Sequence, residues 1–462
     1  MIIENRERLA LQVIDIWLDY RLRYGDYPGY QICIRKKGEI LFSKAYGYAN
    51  LEDKRPLKKH DLFHIASHSK TFTACAFLRL VEQGSASLSQ LAIDYLPELK
   101  NHRDKRFREI TLRDLLSNRS GIFRDGYDAT FWELEKPFLS REQLLQGVLA
   151  AELIYEPNTE TKYSNIGFSL LGVILENIVG SSYQEAMNNL VLKDLNTASL
   201  FPDYDKNIAA PFADGHSRYS FEGKRLPLKH APAQALAPAA GFCANAESTS
   251  LFFHELLLGE RLVSRATQRE LLSLNWPVKN SSNHRYGLGV QSEEAAGFKF
   301  IGHSGGYPGF ITETCLWIGT DYVISSFTNT NDAGAMAALS SIAEVMEKIK
   351  SSFTDSESKE ASVSGLLMNK WGARLYVVTS TKALSFRLDS WRPCEESLLF
   401  ESKRAGEYIC HKENGYGDVG ENLTFMQDKD GNYLQARWGG SVWDCESLFL
   451  QKFQKALMKA QK

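Results

Sequence analysis

The sequence lacks an excess of charge of either sign, and this absence excludes one class of partner. Its 462 residues carry 54 Lys and Arg against 56 Asp and Glu, which gives a formal net charge of -2 at pH 7. A nearly neutral chain has no electrostatic attraction that favours nucleic acid or an anionic membrane surface. We therefore expect no nucleic-acid partner.

Long apolar runs are also missing. No segment approaches the roughly 18 consecutive apolar residues that a membrane-spanning helix needs. The first 24 residues carry charges through their apolar positions, which a secretory signal would not tolerate. They predict an amphipathic helix with Leu9, Val13, Trp17 and Tyr20 on one face. We expect no membrane span and a cytoplasmic location.

The cysteines are few and scattered. There are seven, without a Cys-x-x-Cys pair, so neither a disulfide framework nor a zinc ribbon is indicated. His60, His64 and His68 recur every four residues and would form a metal-binding face on a single helix. The helix is expected to begin near Ser67, however, and no His-Glu-x-x-His pattern supplies a general base. We therefore expect no metal and no cofactor.

Strand patterns stand at both ends of the first 350 residues. Residues 31–35 and 39–44 predict a hairpin around a tight turn, and strand-like segments return between residues 285 and 328. Residues 70–270 are mostly helical in their periodicity. One sheet completed by both ends of the chain explains this order, so we predict an α/β fold for a domain of residues 1–350.

The remaining residues change in character. Residues 351–364 are rich in Ser, Asp, Glu and Lys, and they predict a linker. In residues 365–462 apolar residues alternate, and Asp430-Gly431 is placed as a hairpin turn between two strand patterns. We predict a small, mainly beta C-terminal domain there.

The segment Ser67-x-x-Lys70 carries the strongest chemical signal. At the start of a helix this spacing places a hydroxyl and an amine on one face. The positive helix start and partial burial disfavour a protonated lysine, so the neutral amine can accept the serine proton. The same pattern at Ser356-x-x-Lys359 lies in the predicted linker, where nothing buries the lysine. We predict that Ser67 is the activated nucleophile.

A second element follows in Tyr163-Ser-Asn165. The two residues are placed at a loop-to-helix junction, so both side chains can face one cleft. Tyr48 and Asn50 have the same spacing but precede the nucleophile at a strand end, and we interpret them as structural.

A third element is His303-Ser304-Gly305-Gly306. It places a histidine on a predicted strand, and the glycines after it let a substrate lie close to the backbone.

Together these motifs resemble the serine beta-lactamase and penicillin-binding-protein superfamily, specifically its class C, D-aminopeptidase and esterase-like branch, peptidase family S12. The resemblance covers about residues 25–350 and extends to phrases such as Ala45-Tyr-Gly-Tyr-Ala-Asn50 and Ala239-Ala-Gly241. It implies a beta-lactamase/transpeptidase-like fold, with an antiparallel sheet flanked by helices and an all-helical region.

The resemblance also implies a role for each motif residue. Ser67 would be the acylated nucleophile, Lys70 its partner in proton transfer, Tyr163 the general base and acid, and Asn165 the holder of a substrate amide or carbonyl. The third motif would supply His303 as a catalytic residue, with Ser304, Gly305 and Gly306 against the substrate. The backbone N–H groups of Ser67 and Gly306 would hold the oxyanion.

The third motif departs from the Lys-Thr-Gly that many members of the superfamily have. A lysine there keeps its positive charge, whereas His303 is largely neutral at neutral pH. We therefore expect poor recognition of a free carboxylate, and we expect acidification to about pH 6 to protonate His303 in part.

The predicted function is that of a serine hydrolase which forms an acyl-enzyme. Its substrate would be a small molecule or short peptide, either an amide or peptide containing a D-amino acid or a small ester. A D-alanyl-D-alanine carboxypeptidase or beta-lactamase is the alternative, and a non-catalytic protein that binds acyl compounds is an alternative of another class. The C-terminal domain would either limit substrate size or form a homo-oligomer.

Overall fold

The computed structural model describes residues 3–25, 27–411 and 417–460. Its contacts form two compact units, one of Tyr27–Leu339 and one of Met1–Asp26 with Ser340–Lys462. The predicted domain of residues 1–350 differs from this division at both ends, because the first helix and the residues from Ser340 onward belong to the second unit. Within that unit, Trp17 packs edge-on against Trp391 and donates a hydrogen bond to the Ser390 carbonyl at 2.9 Å.

A nine-stranded antiparallel sheet forms the centre of the unit Tyr27–Leu339. The strands, in sheet order, are Arg55–Pro56, Glu39–Asn50, Gly29–Lys36, Tyr322–Thr328, Phe310–Trp317, Phe298–Tyr307, Gln291–Ala295, His284–Gly287 and Asn275–Pro277. The first hairpin turns at Lys37 and Gly38, whose φ angles of 51° and 85° favour glycine. The third and fourth strands in this order come from opposite ends of the unit, which confirms the predicted sheet.

Helices cover this sheet and form the helical region of the same unit. Their bounds are His68–Glu82, Ala92–Tyr95, Leu112–Leu116, Arg141–Ala150, Asn165–Val179, Tyr183–Leu190, Ala237–Ala240, Ala246–Leu257 and Arg265–Ser273. Phe72 of the first of these helices lies between the rings of Phe242 and Phe252, at centroid distances of 4.1 and 3.6 Å. Burying such a side chain contributes about 1.5–3 kcal/mol, so this stack holds the start of the helix firmly.

No single helix among the described residues is long and apolar enough to cross a membrane. The bent pair Asn165–Val179 and Tyr183–Leu195 reaches that length and apolar composition only when its two parts are taken together. The cytoplasmic location stays a prediction.

The second unit contains the helices Asn5–Tyr24, Ala335–Ser352, Asp355–Glu360 and Glu446–Ala460 and a closed eight-stranded barrel. The barrel strands, in order, are Leu367–Asn369, Ser441–Cys445, Tyr433–Trp438, Asn422–Gln427, Glu407–Cys410, Leu399–Arg404, Lys382–Arg387 and Gly372–Val378, the last of which pairs with the first. The mainly beta C-terminal domain is thus confirmed. Ala335–Ser352 begins in the first unit.

The segment predicted as a linker is largely ordered. Thr354 caps the helix Asp355–Glu360, and Ser362–Val363 pairs with Val377 and Val378 of the barrel. The composition of the segment reflects its exposure rather than a lack of secondary structure.

Candidate active site

Ser67 stands at a tight turn between a short strand and a helix. The strand Phe63–His64 ends three residues earlier, and the helix His68–Glu82 begins immediately after Ser67. Ala66 has a φ angle of 45°, which is unfavourable for a residue with a β-carbon. The Lys70 N–H donates to the Ser67 carbonyl at 3.1 Å, so the first turn of the helix brings the two residues together as predicted.

Four of the predicted site residues form one hydrogen-bonded cluster. Lys70 Nζ lies 3.1 Å from Ser67 Oγ, and the Tyr163 hydroxyl donates to Ser67 Oγ at 2.7 Å. Lys70 Nζ also donates to Asn165 Oδ1 at 2.7 Å and to the Ala239 carbonyl at 2.8 Å. Lys70 is completely buried while Ser67 is partly exposed, so the serine can be reached from solvent.

The surroundings of Lys70 favour the neutral amine. Burial is the main cause that holds the pKa of Lys70 well below its usual value, and the Arg124 cation lowers it further. The carboxylate of Asp125 opposes this shift. A neutral amine has two N–H groups, and the Asn165 and Ala239 oxygens accept both, so its lone pair remains for the Ser67 hydroxyl.

The pKa of Tyr163 is shifted in the opposite direction from that of Lys70. Burial raises the pKa of Tyr163 well above its usual value, and the lowering effects of the Ser67 hydrogen bond and of Arg124 are smaller. The Arg124 guanidinium lies 5.6 Å and Lys70 Nζ 4.6 Å from the centre of the Tyr163 ring. The phenol therefore keeps its proton at neutral pH.

Asp125 orients Asn165 and was missed by the sequence analysis. Asn165 Nδ2 donates to Asp125 Oδ1 at 2.6 Å, which leaves Asn165 Oδ1 facing Lys70. Asp125 also pairs with Arg124 at 3.0 Å. Asp125 is 40 residues from Asn165 in a loop, and no spacing pattern in the sequence joins the two.

The strand Phe298–Tyr307 brings the third predicted motif to the turn before Ser67. The strand Gln291–Ala295 pairs with it only as far as Gly302, so on that side no strand of the described chain pairs with the residues that follow. A β-carbon at Gly305 would lie 2.2 Å from the Ile65 carbonyl oxygen. Glycine is needed there because the strand passes directly against the Ser67 turn. Gly306, one residue on, is exposed.

His303 is buried and holds one tautomer. Its Nδ1 lies 2.7 Å from the Ser304 carbonyl, which only accepts, so Nδ1 carries the proton and Nε2 accepts from the Tyr286 hydroxyl at 3.2 Å. Burial, with smaller effects of Lys70 and His68, holds the pKa of His303 well below its usual value. The expectation that a pH of about 6 protonates His303 is therefore wrong, because this ring stays neutral on mild acidification.

The sequence candidates that were set aside lie elsewhere. Ser356 and Lys359 are both exposed, and Asn50 donates to Asp214 at 2.6 Å. His64 stacks on Tyr307 at 4.2 Å between ring centres, with an angle of 2° between the planes.

Among the described residues, no group of three or more His, Cys, Asp or Glu side chains is arranged so that it could hold a metal ion.

The family described as Beta-lactamase matches residues 17–345 of the chain. The chain belongs to the beta-lactamase family. Among the curated relatives, Protein flp of Staphylococcus aureus (strain COL) is 32% identical over 189 residues, which cover 40% of this chain and 37% of flp. The chain thus spans little more than a third of the length of that relative.

Solved structures show the same beta-lactamase fold. A D-stereospecific amidohydrolase from Streptomyces sp. aligns with a TM-score of 0.62 and 22% identity, covering 71% of this chain and 97% of that chain. An octameric penicillin-binding protein homologue from Pyrococcus abyssi aligns with a TM-score of 0.64 and 18% identity, covering 94% of this chain and 99% of that chain. The superfamily to which the chain belongs is one of serine hydrolases.

Proposed function

We propose that the protein is a serine hydrolase that is acylated at Ser67 and releases the acyl group to water. The observation that supports this most is the position of Ser67 Oγ, which lies 3.1 Å from a buried lysine amine and 2.7 Å from a phenol. A hydroxyl between a base and an acid can lose its own proton to the base, and the acid can then protonate the leaving group.

Acylation begins with Lys70 as the base. The neutral amine takes the Ser67 proton as Ser67 Oγ forms a bond to the substrate carbonyl carbon, and the carbonyl oxygen gains negative charge. We propose that the backbone N–H groups of Ser67 and Gly306 hold that oxygen. The buried cation on Lys70 then lies 4.6 Å from the centre of the Tyr163 ring.

Tyr163 supplies the proton for the leaving group. When the carbonyl re-forms and the bond to the amine or alcohol breaks, the phenol protonates the departing atom, and the proton on Lys70 returns to the phenolate. The resemblance implied both a base and an acid role for Tyr163. Its raised pKa favours the acid role in this step.

Deacylation uses the same groups with water. Lys70, which is neutral again, takes a proton from the attacking water, the acyl C–O bond to Ser67 breaks, and Ser67 Oγ takes the proton of the Tyr163 phenol. The proton on Lys70 then returns to the phenolate. Each cycle therefore returns the three side chains to their starting protonation states.

The substrate is proposed to be the amide of a D-amino acid, a short peptide that contains one, or a small ester. A neutral, buried His303 offers no cation to a substrate carboxylate. A D-stereospecific amidohydrolase is among the proteins with this fold, which makes D-amino acid amides the first class to test.

A homo-oligomer is proposed on the analogy of the octameric homologue from Pyrococcus abyssi, which aligns with 94% of this chain. Light scattering on the purified full-length protein tests it, and a monomer at micromolar concentration contradicts it.

The function is tested by hydrolysis assays on the full chain and two variants. The substrates are D- and L-phenylalanine amide, p-nitrophenyl acetate and nitrocefin. Wild type should hydrolyse the D-amide or the ester, Ser67→Ala should hydrolyse neither, and the control Ser356→Ala, which removes the serine of the exposed Ser-x-x-Lys copy, should match wild type. Hydrolysis that survives in Ser67→Ala, or a wild type that turns over none of the substrates, overturns the proposal.

A further inference from the structure

A cavity of about 490 Å³ lies beside the cluster that contains Asn165. Its walls come from the loop around Asp125, the helix Arg141–Ala150 with the residues after it, and Ile166. None of the residues that take part in the proposed proton transfers lines it. The cavity therefore has no role in the chemistry described so far.

One wall of the cavity is tied to Asn165 by hydrogen bonds. The Phe123 carbonyl accepts from Ser164 Oγ at 2.7 Å, and the Arg124 carbonyl accepts from the Asn165 N–H at 3.0 Å. Asp125, which lines the cavity, accepts from the Asn165 side chain at 2.6 Å. A group that enters this cavity thus lies against the loop that orients Asn165.

The lining suits an apolar group. It includes the apolar side chains of Phe123, Leu139, Leu144, Ile154 and Ile166, and Ile154 is 51% exposed. A concave site with mainly apolar walls and few polar groups is the usual form of a small-molecule site. Its volume lies within the range of such sites.

The charged residues of the lining are all acidic. They are Asp125, Asp128 and Glu152, and none of the described lining residues is a Lys, Arg or His. The three carboxylates pair with cations outside the lining, which are Arg124, Lys136 and Arg103. A ligand anion would find no partner in this cavity and would meet carboxylates, so an anionic group is disfavoured.

We propose that this cavity binds an aromatic or branched aliphatic substituent of the substrate, one that carries no negative charge, beside Asn165. The inference rests on the proposed function, since it concerns the substrate of the same site. It predicts that the enzyme prefers bulky apolar substrates to small ones and discriminates against those whose apolar end carries a carboxylate.

The substitution Gly147→Leu fills the cavity. Gly147 lines the cavity within the helix Arg141–Ala150, and a β-carbon there would meet no atom within 4 Å, so the backbone has room for a side chain at this position. Ala150→Leu, at the end of the same helix, fills the cavity from a second position. Gln146→Leu is the matched control because Gln146 is exposed on this helix and does not line the cavity.

The measurement is kcat/KM for p-nitrophenyl 4-phenylbutyrate against p-nitrophenyl acetate. Wild type and Gln146→Leu should prefer the phenylbutyrate by about tenfold or more, the effect of filling an apolar pocket. Gly147→Leu and Ala150→Leu should lose this preference and keep kcat/KM for the acetate within about twofold. An unchanged preference in both cavity variants, or an equal loss on both esters, overturns the proposal.

A binding measurement separates this proposal from the hydrolase assignment. Calorimetry with Ser67→Ala protein should detect 4-phenylbutyramide and not 4-phenylbutyrate, and adding Gly147→Leu should abolish amide binding. If this binding result is obtained and the wild-type protein hydrolyses no ester or amide, the cavity is supported as an apolar site and only the hydrolase assignment is overturned. Undetectable binding of the amide, or equal binding of the anion, overturns the cavity proposal.

Discussion

Lys70 combines complete burial with three polar contacts, and its protonation state decides what the site can do. A protonated amine would donate to Ser67, whereas a neutral amine accepts the Ser67 proton. Because burial lowers the pKa of Lys70, it favours the neutral form, which acts as a base. The direction of the pH dependence follows from this shift: activity should fall as the pH drops through the lowered pKa of Lys70, because protonation removes the base.

Lys70→Met removes the base and keeps the volume. Since burial favours the neutral amine, an apolar side chain should leave the fold intact, while the rate of acylation should fall by about 100-fold or more. Stopped-flow measurement of p-nitrophenol release checks the rate, and circular dichroism checks the fold. A folded Lys70→Met protein with near wild-type acylation contradicts the role of the lysine.

Asp125 and Arg124 provide a matched pair of charge changes around Lys70. Asp125 raises and Arg124 lowers the pKa of Lys70. Asp125→Asn should therefore shift the acidic limb of the kcat/KM profile to lower pH, and Arg124→Gln should shift it to higher pH. Profiles measured with an uncharged ester avoid titration of the substrate. Two shifts of the same sign would show that charge at these positions does not act on the base.

At the level of secondary structure, the proposed function makes use of the close approach of the strand Phe298–Tyr307 to the Ser67 turn. Gly305 permits this approach, and the stacking of His64 on Tyr307 joins the two elements a few residues away. The backbone N–H groups proposed for the oxyanion belong one to each element. Their spacing thus depends on how closely the strand and the turn pack.

Gly305→Ala should disturb this packing. The new methyl group would lie 2.2 Å from the Ile65 carbonyl oxygen, so the strand must move, at a cost of about 1–3 kcal/mol in the free energy of unfolding, and kcat should fall. At Gly306 the nearest atom is Ile311 Cδ1 at 3.7 Å, so Gly306→Ala should retain the stability of wild type. Chemical denaturation compares the two variants, and equal stability of both contradicts the argument.

Local patterns in the sequence predicted the elements that carry the site, and long-range contacts decided the rest. Ser67 and Lys70 could be placed together because one helical turn joins them. The contact between Asp125 and Asn165 and the burial of His303 could not be predicted, because both depend on how distant segments pack. The failed expectation for His303 has this cause: a histidine in a sequence has its usual pKa until its surroundings are known.

For the whole molecule, the division into two units means that a substitution in one unit can lower the stability of that unit without changing the residues of the proposed site in the other. Every residue of the proposed hydrolytic step lies in Tyr27–Leu339, while the barrel and the first helix belong to the other unit. The first helix was correctly predicted as amphipathic, but its membership of the C-terminal unit was not, since periodicity shows which face is buried and not what buries it.

Trp17→Ala tests this division. Trp17 is completely buried and contacts Trp391, so its loss should cost about 3–5 kcal/mol in the free energy of unfolding of that unit. Below the unfolding transition, kcat/KM for p-nitrophenyl acetate should match wild type, because Trp17 lies in the unit without the site. Denaturant titration and the ester assay measure the two effects. A stable variant with impaired hydrolysis would give the helix a role in the chemistry.

The most direct measurement of the central claim is mass spectrometry of the protein after reaction with a fluorophosphonate or an active ester. We predict one covalent adduct per chain, located by fragmentation on the peptide that contains Ser67, present in Ser356→Ala and absent from Ser67→Ala. An adduct on another residue, or continued hydrolysis by a protein that never forms an adduct at Ser67, would contradict the account.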